Sequence, residues 1–406
     1  MMGVVVAVLA LAAGCTGSGG GTSGTGTLPD GGTPPDGGCS GASCNPGDGG
    51  TPAGGGSGGA LELLNQDAEP SSDRMMFSLI SPFPACWGPL APKDSGTVTV
   101  RNTSGGTVNV TSVDVTDAFT ATPSMGLPAA LAPGASLDVG VKFVATDGRI
   151  HNGTLNVHSD SSTNPTVTMN LAGFRQAVPQ NTYFPMVSQE PDFPEVVNGL
   201  YGYTTVVGTK QQLFDTGEQR IAVGDEVLSA YWTKADPSQP VSVRLMSAWH
   251  TGWDCGDPSA VSYGSFAFWF PKGRTSASDD RYILGGAKED IQRVLPRQYE
   301  NPANPAAATF DPGSTVFGFH IEQEFSDESL LGPLDIEPGC QPVSACGHRM
   351  RFWPIKDSSG ALVQNAWIVT VDMHRPATQG RPSDFYANYD YNDETYVVRN
   401  MMPAPQ

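Results

Sequence analysis

Hydrophobic residues in much of this chain recur at every second position, in short runs interrupted by Gly, Pro, Asn, Asp and Ser. Leu137-Asp138-Val139-Gly140-Val141-Lys142-Phe143 alternates along its whole length, and Leu155-Asn156-Val157-His158 and Val167-Thr168-Met169-Asn170-Leu171 do the same. In an extended strand a period of two lays one set of side chains on a core and the other in water; on a helix it would scatter them round the axis. Between Met75 and Phe174 such runs return about every eight to twelve positions, the spacing of an all-β sandwich. Within that stretch Thr97-Val98-Thr99-Val100 leads through Asn102 to Gly106 into Thr107-Val108-Asn109-Val110, which reads as a hairpin.

One segment is exempt from folding. From Thr16 to Gly59 there are 19 Gly in 44 residues, and Leu28 is the only large apolar side chain. Such a stretch cannot bury enough apolar surface to offset its backbone entropy and reads as a flexible tether. The organisation expected is therefore a leader at 1–14, a linker at 15–59, a β-sandwich at 60–176 and a larger β-sandwich at 177–406. The net charge of −19, from 22 basic and 41 acidic residues, argues against nucleic acid as a partner.

The leader carries an address. Val4 to Ala13 is an unbroken apolar run, too short to span a bilayer and right for a signal-peptide core, and Ala12-Ala13-Gly14-Cys15 follows at once. These residues resemble the lipobox of bacterial lipoproteins. The resemblance implies that Cys15 becomes the first mature residue, linked to diacylglycerol, and that the membrane is a partner through this anchor. More than one acyl chain gives stable attachment where a single chain is marginal. The expected location is the bacterial envelope, outside the cytoplasm.

In an oxidising compartment the six remaining cysteines read as staples. Cys39 with Cys44, and Cys340 with Cys346, could each close a local ring, which leaves Cys86 and Cys255 as a long-range pair. No Cys-x-x-Cys spacing points to zinc or redox chemistry.

In the first sandwich, Arg101-Asn102-Thr103-Ser104-Gly105, Leu131-Ala132-Pro133-Gly134, Gly153-Thr154-Leu155, Ser159-Asp160 and Leu171-Ala172-Gly173 follow in an order similar to the immunoglobulin-like repeats related to the ASH and major-sperm-protein domains. That resemblance implies a spacer or binding module without chemistry of its own.

The C-terminal region opens with a predicted helix at Pro194 to Leu200 and continues as strands, among them Gly224 to Trp232, Val241 to Leu245, Ser265 to Phe270, Arg351 to Ile355, Asn365 to Val371 and Glu394 to Asn400. A regular strand from Val316 to Phe325 would face Phe317, Phe319, Ile321 and Phe325 to a core and line the opposite face with His320, Glu322 and Glu324. Near the end stands Asn388-Tyr389-Asp390-Tyr391-Asn392-Asp393. In an extended backbone it projects Asn388, Asp390 and Asn392 to one side and both tyrosines to the other. Clustered carboxylate and amide oxygens before a strand suit a hard cation such as Ca²⁺. Together with Asp372 and Tyr396-Val397-Val398, this run resembles the C-terminal β-domain of a family of exported bacterial proteins, and the resemblance makes Asp372, Asp390, Asn392 and Asp393 the ligand candidates.

The usual catalytic motifs are missing: there is no His-Glu-x-x-His, no phosphate-binding loop and no zinc-spaced Cys/His set. Glu322 and Glu324 are the one pair that could serve an exported polysaccharide hydrolase. Trp249, Trp253, Phe268, Trp269, Trp353 and Trp367 fit a core better than a sugar platform. The sequence thus points to a non-enzymatic envelope module for adhesion or scaffolding, with a glycan or protein as surface ligand.

Overall fold

The computed structural model describes residues 60–80, 92–176, 190–249, 266–286, 292–296, 308–373 and 389–405. The leader, Cys15, the tether, Cys39, Cys44, Cys86, Cys255, Trp253 and Asn388 lie outside the described residues. Nine strands build the first sandwich: β1 (Leu61–Asn65), β2 (Arg74–Ile80), β3 (Ser95–Asn102), β4 (Val108–Val115), β5 (Phe119–Pro123), β6 (Ala129–Leu131), β7 (Ser136–Phe143), β8 (Ile150–Ser159) and β9 (Thr166–Gln176). Its sheets run β1-β3-β7-β5 and β2-β9-β8-β4-β6, in an immunoglobulin-like arrangement. The alternation in β7 does what its period requires, with Leu137, Val139, Val141 and Phe143 buried and the residues between them exposed.

The expected hairpin between β3 and β4 does not form. The two strands lie in different sheets. Asn102 is buried at the crossing, and its side-chain amide donates to the carbonyls of Gly106 (2.8 Å) and Leu131 (2.8 Å), so the turn carries the chain across the sandwich. The turn residues were legible, but which sheet receives the next strand depends on contacts remote in sequence.

After a helical turn at Glu195–Leu200 and a short helix α1 (Lys210–Asp215), twelve more strands follow. They are β10 (Trp232–Lys234), β11 (Val241–Trp249), β12 (Phe266–Pro271), β13 (Arg281–Gly285), β14 (Gln292–Val294), β15 (Ala308–Phe310), β16 (Phe317–Ile321), β17 (Glu324–Phe325), β18 (Met350–Lys356), β19 (Leu362–Val371), β20 (Glu394–Arg399) and β21 (Met401–Pro403). They form a sheet β13-β12-β16-β10-β21 with β17 beside β16, and a sheet β14-β11-β20-β19-β18 with β15 beside β11. Of the strand expected over 224–232, only Trp232 is in a strand, as the first residue of β10. Among the described residues no helix is long and apolar enough to cross a membrane.

The two sandwiches are welded into a stack. One core lies inside the first sandwich and one inside the second; a third joins Met76, Ala172 and Phe174 of the first to Met246, Trp249, Ile368 and Val397 of the second, with Phe193, Val196, Val197 and Leu200 of the helical turn wedged between. This is why β11 is buried at nearly every position: both of its faces are covered, so its sequence reads as an apolar run rather than an alternation. Polar ties bracket the weld. Arg399 grips Glu69 through two hydrogen bonds (2.7 and 3.0 Å), and Arg74 donates to the carbonyls of Leu200 (2.7 Å) and Gly199 (2.6 Å). Tyr203 Oη donates to the carbonyl of Pro70 (3.1 Å).

Phe174, 2% exposed and set edge-on to Trp249 at 6.0 Å, should therefore serve both sandwiches. Phe174→Ala is expected to cost about 3–5 kcal/mol and, in calorimetry, to lower a single transition shared by both sandwiches. A variant that destabilises one of two separate transitions would contradict the weld.

Candidate functional site

The segment between α1 and β10 is irregular and forms no ladder, so part of its backbone hydrogen bonding must be met by side chains. These come from β18 and the residues around it. Arg351 donates to the carbonyls of Thr216 (2.7 Å) and Ile221 (3.2 Å), Trp353 Nε1 to that of Val223 (2.8 Å), and Tyr391 Oη to that of Gly217 (2.8 Å). Gly217 lies flat against the Tyr389 ring, where a Cβ would stand 2.2 Å from a ring carbon.

The same side chains form a buried ionic layer. Arg351 Nη1 meets Glu226 at 2.7 Å, with the guanidinium 4.8 Å from the Tyr391 ring centre. Arg349 meets Glu218 and, at 3.0 Å through Nε, Glu324. His348 sits between Glu328 (2.6 Å at Nδ1) and Glu226 (2.8 Å at Nε2). Burial would lower the Arg349 pKa, but Glu324 and Glu218 outweigh it and raise it. Burial likewise pushes Glu226 up, and the His348 and Arg351 contacts bring it below its ordinary value. A disulfide, Cys340–Cys346, closes a neighbouring ring; just before it, Glu337 accepts a hydrogen bond from Tyr389 Oη (2.6 Å) and Asp335 O one from Arg349 (2.5 Å).

The Asp/Asn run lies directly beneath this layer. Its backbone is not extended: Tyr389 and Tyr391 adopt left-handed φ of 54° and 56°, and both rings are buried. The coil turns both tyrosines toward the ionic layer, where Glu337 and the 217 and 348 carbonyls take their hydroxyls. Of the ligand candidates named from the sequence, Asp372, Asp390 and Asp393 lie near enough for their charges to act on one another, while the side-chain amide of Asn392 turns to Pro191 O. The β19–β20 ladder ends with Val371 opposite Glu394, and Asp372 and Asp393 are the next residues of the two chains beyond it. Asp372 Oδ2 accepts from Tyr391 N (3.2 Å) and Asp393 Oδ2 from Met373 N (2.6 Å), while Asn392 Nδ2 donates to Pro191 O (2.8 Å). Burial, then the charge of Asp390, pushes the Asp372 pKa well up; burial, then Asp372, Asp390 and Glu190, does the same to Asp393. Glu190 escaped the sequence reading; its only signal there is the acidic Glu190-Pro191-Asp192 turn. Among the described residues there is no group of three or more His, Cys, Asp or Glu side chains that could hold a metal ion.

The expected face of His320, Glu322 and Glu324 does not exist. Phe317, Phe319 and Ile321 do face the core, but the chain reverses after Ile321 through Glu322, whose φ is 54°, and Ile321 pairs with Glu324. Glu324 is thereby folded to the buried side, onto Arg349, and Glu322 Oε1 accepts from Phe266 N at 2.7 Å. The two carboxyls therefore do not share one open strand face. His320 stacks on Phe325, ring centres 4.1 Å apart, and its Nδ1 meets Asp280 at 2.9 Å. Trp249, Trp353 and Trp367 are core residues, whereas Phe268 and Trp269 are half-buried.

No known protein family matches the chain, and no characterised protein matches it in sequence. Among solved structures, a protein of unknown function from Porphyromonas gingivalis W83 is similar at 15% identity over 29% of this chain and 46% of that one, with a TM-score of 0.22. The ASH/PapD-like domain 7 of human CEP192 matches at 14% identity over 29% of this chain and 84% of the domain, TM-score 0.21. The Pseudomonas aeruginosa CupB2 chaperone matches at 10% identity over 83% and 100%, TM-score 0.20. The chain spans less than half of the first of these, and likenesses this slight say nothing of activity.

Two outcomes follow from these contacts. Arg349→Met leaves Glu218 and Glu324 buried without their counter-charge and is expected to cost about 3–5 kcal/mol in urea unfolding; a loss below about 1 kcal/mol would mean that the layer is not dry. Burial, opposed by Asp280, leaves the His320 pKa below its ordinary value. The native state then binds that proton less tightly than the unfolded chain, and stability is lost as pH falls through about 6.5. His320→Phe should flatten the fall in urea midpoint between pH 7.5 and 5.5, and an unchanged slope would contradict the assignment.

Proposed function

We propose that this chain is a bacterial envelope lipoprotein, acylated at Cys15 and tethered through Thr16 to Gly59, whose welded sandwiches act as a non-catalytic binding or scaffold module at the surface. The observation that carries the reading is the Val4 to Ala13 core ending in Ala12-Ala13-Gly14-Cys15. The Cys340–Cys346 disulfide supports it, because structural disulfides persist in oxidising compartments outside the cytoplasm. The ionic layer supports the non-catalytic half: Glu218, Glu226, Glu324 and Glu328 are engaged by Arg349, Arg351 and His348, and so hold loops rather than face a cleft. A tether of Gly, Ser, Thr and Pro lets such a rigid body present a surface ligand site, for glycan or protein, away from the bilayer.

Mass spectrometry of the native protein tests the anchor. The expected amino terminus is Cys15 carrying a thioether-linked diacylglycerol, and Cys15→Ser should move the protein from the membrane fraction to the soluble one. A free Cys15 thiol with the leader still attached would overturn the proposal.

A further inference from the structure

On β11 the residues Ser242 and Arg244 face the first sandwich. Val243 and Leu245 belong to the second sandwich's own core, whereas Val397, the partner of Arg244 on β20, belongs to the core of the weld. Arg399, opposite Ser242, lies on the same face as Val397. The seam between the sandwiches thus receives two guanidinium groups from one sheet, and Arg293 on β14 stands near enough for its charge to act on Arg244.

The first sandwich answers with Asp67 and Glu69, on the loop after β1. Asn65 fixes that loop by donating to the carbonyls of Glu69 (3.1 Å) and Arg74 (2.6 Å). Both carboxylates are already engaged: Glu69 gives its two oxygens to Arg399, and Asp67 pairs with Lys93 at 2.9 Å. Arg244 is different. It is 4% exposed, and among the described residues its side chain makes no hydrogen bond and no ion pair. Burial, working against the charges of Glu69 and Asp67 and helped by that of Arg293, pushes its pKa down to about 10. A desolvated guanidinium whose N–H groups meet no acceptor is costly.

We propose that this seam binds a small oxyanion, a phosphate or carboxylate group, with the guanidinium of Arg244 as its principal donor. A planar guanidinium offers two parallel N–H groups to just such a group, which a point charge does not. The chain's net charge of −19 gives an anion no reason to approach from afar, but that field is screened within about a Debye length. What acts at the seam is the local set, in which Arg244, Arg399 and Lys93 outnumber Asp67 and Glu69. Arg399, with its side chain 36% exposed, marks where this cluster meets solvent. The site does not depend on acylation at Cys15. An anion held there binds only the folded, welded chain and so stabilises it by mass action.

The full chain is to be melted by calorimetry in sodium chloride and, at the same pH and ionic strength, in tens of millimolar sodium phosphate or sodium acetate. At least one of the two oxyanions should raise Tm by roughly 3 °C or more over chloride. A rise with phosphate alone assigns a phosphate group as the ligand chemistry, and an equal or larger rise with acetate assigns a carboxylate. Arg244→Met should abolish the rise, while Arg101→Gln, in an exposed pair with Glu62 on the first sandwich, should keep it. If Arg244→Met does not fold, Arg244→Lys replaces it; this keeps the charge but loses the fork and should cut the rise several-fold. The same Tm in all three salts, or a rise that the substitution at Arg244 leaves intact, would overturn the proposal.

Discussion

Two guanidinium groups, Arg349 and Arg351, lie at 0% exposure near the start of β18, and much of the second sandwich is arranged to answer them. Their partners come from three separate stretches: Glu218 and Glu226 from the irregular segment after α1, Glu324 from the β16–β17 hairpin, and the carbonyls of Thr216, Ile221 and Asp335. A buried charge pair is no guarantee of extra stability over an apolar replacement, since desolvation offsets the attraction. What it supplies here is definition. A long irregular segment has no sheet ladder to fix it, and directional hydrogen bonds from a planar guanidinium hold particular carbonyls in place where greasy contacts would leave alternatives.

The ionic layer and the end loop are two floors of one structure. Tyr391 places its ring under Arg351 and its hydroxyl on the 217 and 348 carbonyls, while the residues on either side of it, Asp390 and Asn392, belong to the acidic floor below. Tyr389 is its counterpart on Gly217 and Glu337. The alternation of aromatic and acidic residues in this run therefore separates two chemistries, although it does so through left-handed turns and not through an extended strand. The residues just before the disulfide-closed ring complete the upper floor by presenting Glu337 and Asp335 O.

Local pattern was readable wherever one element had one buried face. The β7 alternation, the helical turn at 195–200 and the inward set Phe317, Phe319 and Ile321 all follow from periods of two or from short apolar clusters. Errors arose where a contact distant in sequence decides. Gly224 to Trp232 looks like a strand, but Val227 N bonds a carbonyl of β18 and no ladder forms until Trp232. Glu322 and Glu324 look like neighbours on one face because nothing local announces that the backbone will reverse at Glu322. The ion pairs join residues more than a hundred positions apart, as Arg351 and Glu226 do, so the sequence shows charged residues but not that they are dry. The Asp390-Tyr391-Asn392-Asp393 run stands out in the sequence because its members are adjacent, but the left-handed turns at Tyr389 and Tyr391 do not, and neither does the approach of Glu190 to Asp393.

Native-state hydrogen exchange tests most directly whether the buried guanidinium layer governs this architecture. The amides of 216–227 and 389–393 lie in loops that would ordinarily exchange early. If the layer holds them, they exchange in one cooperative unit with β18, at nearly the opening free energy of that strand. Rapid exchange of 216–227 while β18 stays protected would show that the arginines decorate a core formed without them.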